Sequence, residues 1–193
     1  MQRRRVLLKS AAAVAWPFLA APSAAVEAPL RSAAGSVLVF RHALAPGTFD
    51  PPEFKLGDCS TQRNLDNDGR RQARQIGAWF AQRRLRPTRV RSSPWCRCTE
   101  TARLAFGEEV EAWDALGSPR ARVEEVNAQA LAQLRSELAR AAQRRSGFEV
   151  WVTHMFVIGA LAGESARSGE ALLLGVQPDG ALRVLERFAE FAV

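Results

Sequence analysis

Short apolar runs alternate with amphipathic stretches along most of this chain. Strands are predicted where β-branched and aromatic residues cluster between turn signals, at 36–41, 89–92, 110–113 and 148–153. Helices are predicted where apolar residues recur every three or four positions, from Leu65–Asp66 to before Pro87 and over 93–105, 124–144 and 156–161. This alternation is typical of an α/β fold, a three-layer α/β/α sandwich on a mainly parallel sheet.

Two segments interrupt the alternation. Residues 43–63 are rich in Pro, Gly and Asp and predict a long loop directly after the first strand, a kind of loop that is usually functional. Asp66 is the predicted N-cap of the helix that follows this loop. Near the end of the chain, 171–176 and 181–188 predict two strands joined as a hairpin by Gln177-Pro178-Asp179-Gly180.

Residues 1–25 have the features of a signal peptide. Arg4-Arg5-Val6-Leu7-Leu8-Lys9 resembles the twin-arginine export pattern, and a modestly apolar stretch follows it. Small residues suit cleavage after Ala25, with cleavage after Ser23 as the alternative. We therefore expect a partnership with the export machinery, a short linker over 26–35, a domain over 36–193, and a periplasmic or secreted product.

The charge of the chain does not favour nucleic acid as a partner. The net charge is +7, but four basic residues lie in the predicted leader, and the remaining 23 basic and 20 acidic residues give +3. Many of the arginines stand near glutamates in helical stretches, which is typical of a solvated surface. After the leader, no apolar run reaches the roughly 18 residues of a membrane span, and no cysteine suited to lipid attachment adjoins the cleavage site.

Export changes the expectation for the three cysteines. An oxidising compartment favours one disulfide and one free thiol. We expect the disulfide to join Cys59 and Cys96, because Cys98 falls where an apolar helix residue should face the core. A structural zinc site is not expected, since it needs four ligands and the chain has two histidines, both required elsewhere.

Both histidines follow predicted strands. His42 stands beside Arg41 after the first strand, His154 follows the strand at 148–153, and Arg97 lies in the first turn of the helix after 89–92. Ligands of such sheets bind at the carboxyl ends of the strands. Two guanidiniums, an imidazole and a helix N-terminus at one point predict a phosphate pocket formed by Arg41, Arg97 and His154.

His42 is the candidate nucleophile of that pocket. Neighbouring arginines disfavour a charged imidazole, and a neutral imidazole has a lone pair with which to attack phosphorus. The arginines would hold the phosphoryl oxygens during in-line transfer. This chemistry needs no divalent metal, so neither a metal nor another cofactor is predicted.

Four motifs carry a resemblance to a known family. Val39-Phe40-Arg41-His42-Ala43 resembles the Arg-His-Gly/Ala signature of the histidine phosphatase superfamily, which has the phosphoglycerate-mutase-like fold. The other matching segments are 65–73, 92–102 and 152–154, in the family's order. The resemblance, to the small branch 1 phosphatases, implies a phosphohistidine on His42 and phosphoryl binding by Arg41, Arg97 and His154.

The proton donor departs from the family pattern. Mutase-type members carry a glutamate after the third strand, near which this chain has Ser118, and the Asn expected after the Arg-His pair is missing. Asp50 is our candidate donor, with Asp114 as the second choice. His154 is followed by Met155, unlike the His-Asp pair of the phytase-like branch.

The expected function is that of an exported histidine acid phosphatase, a hydrolase acting on a small-molecule or protein-borne phosphate. One alternative is a binding or sensory domain that keeps the pocket without turnover. A second alternative, a phosphomutase on the same fold, is disfavoured by the absent glutamate and by export away from glycolytic intermediates.

Overall fold

Six strands form one sheet in the order β3-β2-β4-β1-β5-β6. A computed structural model describes residues 24–119 and 125–192. The strands are β1 (Ser36–Arg41), β2 (Arg89–Ser92), β3 (Glu111–Ala112), β4 (Phe148–Thr153), β5 (Ala171–Val176) and β6 (Leu182–Phe188). The first four run parallel, and the hairpin of β5 and β6 adds two antiparallel strands beside β1.

Helices cover both faces of this sheet. They are α1 (Ala24–Ser32), α2 (Asn67–Gln82), α3 (Cys96–Phe106), α4 (Ala128–Ala141) and α5 (Met155–Ala162). Side chains alternate along β1, so Leu38 and Phe40 pack with α1, α2 and α3, whereas Val37 and Val39 pack with α4 and α5. The predicted three-layer α/β/α sandwich with a mainly parallel sheet is therefore confirmed.

Two helices begin later than the sequence predicts. α3 begins at Cys96 rather than at Ser93-Pro94, because the Ser93 backbone N–H donates to the Val152 carbonyl and continues the sheet contact instead. α4 begins at Ala128. The Asn127 side chain caps it by accepting hydrogen bonds from the backbone N–H groups of Gln129 and Ala130. Residues 120–124, at the predicted start of that helix, lie outside the described residues.

The helix after the long loop begins as predicted. The Asp66 side chain accepts a hydrogen bond from the Gly69 backbone N–H at 2.7 Å and caps α2. This cap fixes where the chain leaves the loop and turns back towards the sheet.

The region around the predicted cleavage site forms α1. Its end packs on the domain, with Leu30 and Ala33 buried in the core, so most of the predicted linker 26–35 is part of the folded unit. Residues 1–23, which hold the predicted leader, lie outside the described residues. None of the described helices is long and apolar enough to cross a membrane.

Candidate active site

The structure brings together the four site residues that the sequence singles out at strand ends. His42 follows β1, His154 follows β4, and Arg97 lies in the first turn of α3, which follows β2. These three parallel strands are neighbours in the sheet, so their carboxyl ends meet at one edge. The rings of His42 and His154 lie edge to face with centroids 5.5 Å apart.

His42 is buried and has one free ring nitrogen. Its Nδ1 lies 2.7 Å from the Ala43 carbonyl oxygen, which can only accept, so Nδ1 carries the proton. Burial, and after it the charges of Arg97, Arg63 and Arg41, hold the pKa of His42 well below its ordinary value. A neutral ring protonated on Nδ1 leaves a lone pair on Nε2, which is the state a nucleophile requires.

Three residues from the segments 65–73 and 92–102 fix the backbone after His42. The Thr101 hydroxyl accepts from the Ala43 backbone N–H at 3.0 Å, and the Gln72 side chain accepts from the Leu44 backbone N–H at 2.8 Å. α2 approaches this backbone so closely that a Cβ at Gly69 would overlap the Leu44 carbonyl oxygen. Glycine at this position therefore permits the contact that orients the chain next to the imidazole.

Three guanidiniums share the site. Each of Arg41, Arg63 and Arg97 has a buried Nε without a hydrogen-bond partner among the described residues. Arg41 is anchored through Nη1 to the Ala166 carbonyl at 3.0 Å, and Arg63 through Nη1 to the Ala45 and Gly47 carbonyls. Burying an unpaired N–H is costly, so the three Nε–H groups are suited to the oxygens of an anionic ligand.

Arg63 is the site residue that sequence reasoning missed. Burial and the nearby charge of Arg97 lower its pKa to about 10, and Asp50 opposes this shift. The sequence pattern predicts only that Arg63 ends the long loop. Its position two residues before Leu65-Asp66, where the loop meets the capped helix, is the signal that places it beside the pocket.

Asp50 lies within the arginine cluster. Oδ1 accepts from Arg97 Nη1 at 2.8 Å and from the Arg63 backbone N–H at 3.0 Å, and Oδ2 accepts from Arg97 Nη2 at 3.2 Å and from the Trp95 indole at 3.0 Å. The three guanidiniums and this carboxylate together carry a charge of +2, which a phosphoryl dianion would balance. The role of Asp50 as proton donor stays a prediction.

His154, the second histidine of the site, is neutral and held by hydrogen bonds. Its Nδ1 lies 3.3 Å from Arg97 Nη2, which donates, so Nε2 carries the proton and donates to Ser93 Oγ at 2.8 Å. Burial is the largest cause that holds the pKa of His154 well below its ordinary value, followed by Arg97. The Cys98 thiol lies 3.4 Å from Nε2, and burial raises its pKa to about 12, so it is not a thiolate.

The second candidate donor lines a hollow beside Trp95. Asp114, Ser118 and Trp95 all line this hollow of about 700 Å³, and the Trp95 ring lies edge to face with the His154 ring, with centroids 5.4 Å apart. Within residues 24–119 and 125–192, no cluster of three or more His, Cys, Asp and Glu side chains is arranged to hold a metal ion.

A disulfide joins the long loop to the helix that carries Arg97. Cys59 and Cys96 are bonded as the sequence predicts, and Cys98 is free and buried in the core. Beside the disulfide, the Gln62 side chain accepts from the Cys96 backbone N–H at 3.0 Å. The loop that carries Asp50 and Arg63 is thereby tied to the first turn of α3.

Comparison with known proteins bears on the identity of this fold and site. Residues 55–118 match the family model of the histidine phosphatase superfamily (branch 1). Over these residues the chain is similar to this superfamily. The matching segment contains Arg63 and Arg97, and it lies between the two histidines in sequence. No curated protein matches the chain in sequence.

Several solved structures share the fold of this chain. The protein histidine phosphatase SixA, complexed with tungstate, is 15% identical with a TM-score of 0.59, covering 79% of this chain and 96% of its own. A phosphoserine phosphatase mutant from Entamoeba histolytica, in complex with phosphoserine, is 14% identical with a TM-score of 0.59, covering 79% and 95%. A mycobacterial glucosyl-3-phosphoglycerate phosphatase with inorganic phosphate is 15% identical with a TM-score of 0.55, covering 77% and 93%.

Proposed function

We propose that this chain is a member of the histidine phosphatase superfamily and a metal-independent phosphomonoesterase that forms a phosphohistidine on His42. The observation that carries the proposal is the neutral imidazole, with its Nε2 lone pair, grouped with three guanidiniums that each have an unpartnered Nε–H. A nucleophile and a cluster of donors for phosphoryl oxygens are the two parts that in-line phosphoryl transfer requires.

The reaction proceeds in two displacements. His42 Nε2 forms a bond to phosphorus while the bond from phosphorus to the alcohol oxygen breaks, and the departing oxygen takes a proton from the general acid. The Ala43 carbonyl oxygen, which accepts a hydrogen bond from Nδ1–H, stabilises the positive charge that the His42 ring acquires. Water then attacks phosphorus and gives a proton back to the same group, which releases inorganic phosphate and restores neutral His42.

Asp50 is the proposed general acid. Both of its oxygens accept from Arg97, so a phosphoryl group must compete with Asp50 for this guanidinium. When the phosphoryl dianion takes Arg97, Asp50 loses its cation and gains an anionic neighbour. Both changes favour a protonated carboxyl, which can then donate to the leaving oxygen.

The structural neighbours support the reaction class without defining the substrate. Their structures contain tungstate, phosphoserine and inorganic phosphate, all oxyanions or phosphate compounds. A small-molecule or protein-borne phosphomonoester is the proposed substrate here.

Steady-state hydrolysis of p-nitrophenyl phosphate tests the proposal. We expect turnover in the presence of a metal chelator, and a loss of several orders of magnitude in His42→Ala because the covalent route is removed. Phosphate binding without turnover by the wild-type protein would support the alternative of a binding or sensory domain instead.

Export to the periplasm or to the medium is proposed from the leader. We expect mature protein that begins near Val26, and retention of the precursor inside the cell when Arg4 and Arg5 are both replaced by lysine. N-terminal sequencing of fractionated cells tests both expectations. Normal export of the double variant would contradict the twin-arginine route.

A further inference from the structure

A groove of about 800 Å³ opens beside Arg41, at one side of the arginine cluster. α5, the segment that follows it and the start of α4 form its walls. Most of the lining is apolar or small, including Val126, Leu131, Met155, Phe156, Gly159 and Ala160. A lining of this kind suits an apolar group more than a polar or charged one.

The groove is continuous with the active site. Arg41 and Ala166 both line it, and they are joined by the hydrogen bond that anchors the guanidinium. Met155 directly follows His154 in the chain. On the loop side, the ring of Phe49, next to Asp50, stacks on Phe156 with centroids 6.1 Å apart and an interplanar angle of 14°. A phosphoryl group held by Arg41 would therefore have its ester substituent beside aromatic and aliphatic side chains.

The charged residues that the structure describes along the groove do not provide a second anion site. Besides Arg41, the described lining contains one cation, Arg167, whose Nε lies 3.8 Å from Glu170. The other charged lining residues are Glu125 and Glu164, and Glu164 is paired with Arg187 at 2.5 Å. Among the described residues, a substituent that carries a second phosphate or a carboxylate would meet Glu125 and Glu164, and Arg167 is already paired with Glu170.

We propose that this groove binds the alcohol part of the substrate and that the preferred substrates are monophosphate esters of apolar, aromatic alcohols. This inference rests on the proposed function, because it assumes that the phosphoryl group sits among the three arginines. Burying one aromatic ring system in such a groove is expected to improve affinity by about tenfold to a hundredfold.

Calorimetric binding of two non-hydrolysable probes tests the groove without requiring turnover. We expect naphthylmethylphosphonate to bind the wild-type protein at least about tenfold more tightly than methylphosphonate. Gly159→Leu should abolish most of this difference, since a Cβ at Gly159 meets nothing within 4 Å and the new side chain would enter the groove. Methylphosphonate affinity should stay unchanged, because the arginines are untouched.

A matched control distinguishes this groove from its neighbour. Ser118→Leu adds similar bulk to the hollow beside Trp95 and should leave the preference for the naphthyl probe intact. Equal binding of the two probes to the wild-type protein would overturn the proposal, as would loss of the preference in Ser118→Leu alone. If Gly159→Leu does not fold, Ala160→Leu fills the same groove. Failure of the proposed phosphatase activity would show instead as absent turnover with p-nitrophenyl phosphate.

Discussion

Arg97 makes more contacts to the groups of the site than any other guanidinium of the cluster. Its two Nη groups donate to both oxygens of Asp50, its Nη2 also donates to His154, and its buried Nε has no hydrogen-bond partner among the described residues. A planar fork that pairs with the two oxygens of Asp50 can pair in the same way with two phosphoryl oxygens, whereas an ammonium group offers a single point of charge. The identity of the residue should therefore matter beyond its charge.

Arg97→Lys is expected to lower kcat/KM for p-nitrophenyl phosphate by about two to three orders of magnitude. The melting temperature should change little, because lysine keeps a positive charge beside Asp50. Arg103→Lys, at an exposed position on the same helix, is the matched control and should be active. An Arg97→Lys enzyme with wild-type kcat/KM would show that Arg97 does not hold the transferred group.

Asp50→Asn separates proton donation from simple charge pairing. If Asp50 donates the proton, kcat for an alkyl phosphate should fall by about two to four orders of magnitude. Hydrolysis of p-nitrophenyl phosphate should fall much less, since its leaving group departs without a proton. Asp58→Asn, in the same loop and exposed, is the control. Equal rates for wild type and Asp50→Asn on the alkyl phosphate would remove Asp50 as the donor and direct attention to Asp114.

The site residues at strand ends could be predicted from sequence, as could Asp50 of the long loop, but Arg63 of the same loop could not. Arg41, His42 and His154 are placed by strands whose apolar patterns are clear, so their meeting at one edge of the sheet follows from the topology. Arg63 reaches the cluster only because the loop folds back on itself and its guanidinium bonds two loop carbonyls. Such contacts between distant loop positions leave no periodic signal in the sequence.

At the level of elements, the disulfide fixes the long loop against α3. Cys59 and Cys96 are separated by 37 positions, and the loop between His42 and α2 carries both Asp50 and Arg63. A crosslink at this point restricts the loop in the unfolded chain and positions two site residues in the folded one.

Removal of this disulfide should affect stability and ligand binding together. Replacing Cys59 and Cys96 by serine is expected to lower the free energy of unfolding by about 3–4 kcal/mol. Vanadate affinity should fall by about tenfold, because ordering the loop then opposes binding. Cys98→Ala, which leaves the disulfide intact, is the control. Three free thiols in peptide maps of the exported protein, or unchanged vanadate affinity, would contradict the role of the disulfide in binding.

Helix starts were the least predictable feature of the elements. The proline at 94 favours a helix that begins there, but the strand-like hydrogen bond of Ser93 and the extended backbone of Trp95 delay α3 to Cys96. The delay has a consequence for the site, because it leaves the Ser93 hydroxyl in position to bond His154. A long-range contact thus overrides the local preference.

At the level of the whole molecule, two buried neutral histidines link folding to pH. Both have folded-state pKa values well below 6.5, so the unfolded chain binds more protons than the folded one at acidic pH. Stability is then fully present above pH 6.5 and is lost as the pH falls. The expected loss approaches about 1.4 kcal/mol per pH unit for each histidine.

Denaturant unfolding between pH 7 and pH 5, in a buffer without phosphate, measures this dependence. His42→Asn removes one of the two groups and should reduce the slope by about half. A free energy of unfolding that stays constant across this range would show that the histidines are solvated or already charged in the folded protein.

The fold class could be predicted from sequence, but the strand order could not. The alternation of strands and helices predicts a mainly parallel sheet, and Gln177–Gly180 predicts the terminal hairpin. Nothing in the apolar pattern of β1 indicates that it lies between β4 and β5, since every buried central strand has the same pattern. α1 could not be predicted either, because Pro29 interrupts its helical pattern and Leu30 is buried in a core cluster whose other members are mostly distant in sequence.

The central claim is that phosphate passes through His42. Brief mixing with a 32P-labelled phosphomonoester and quenching in alkali should trap label that is stable to alkali and labile to acid. Peptide mapping should place this label on His42, and the His42→Ala protein should carry none. Label on a serine, a cysteine or His154, or turnover without any trapped label, would contradict the phosphohistidine mechanism.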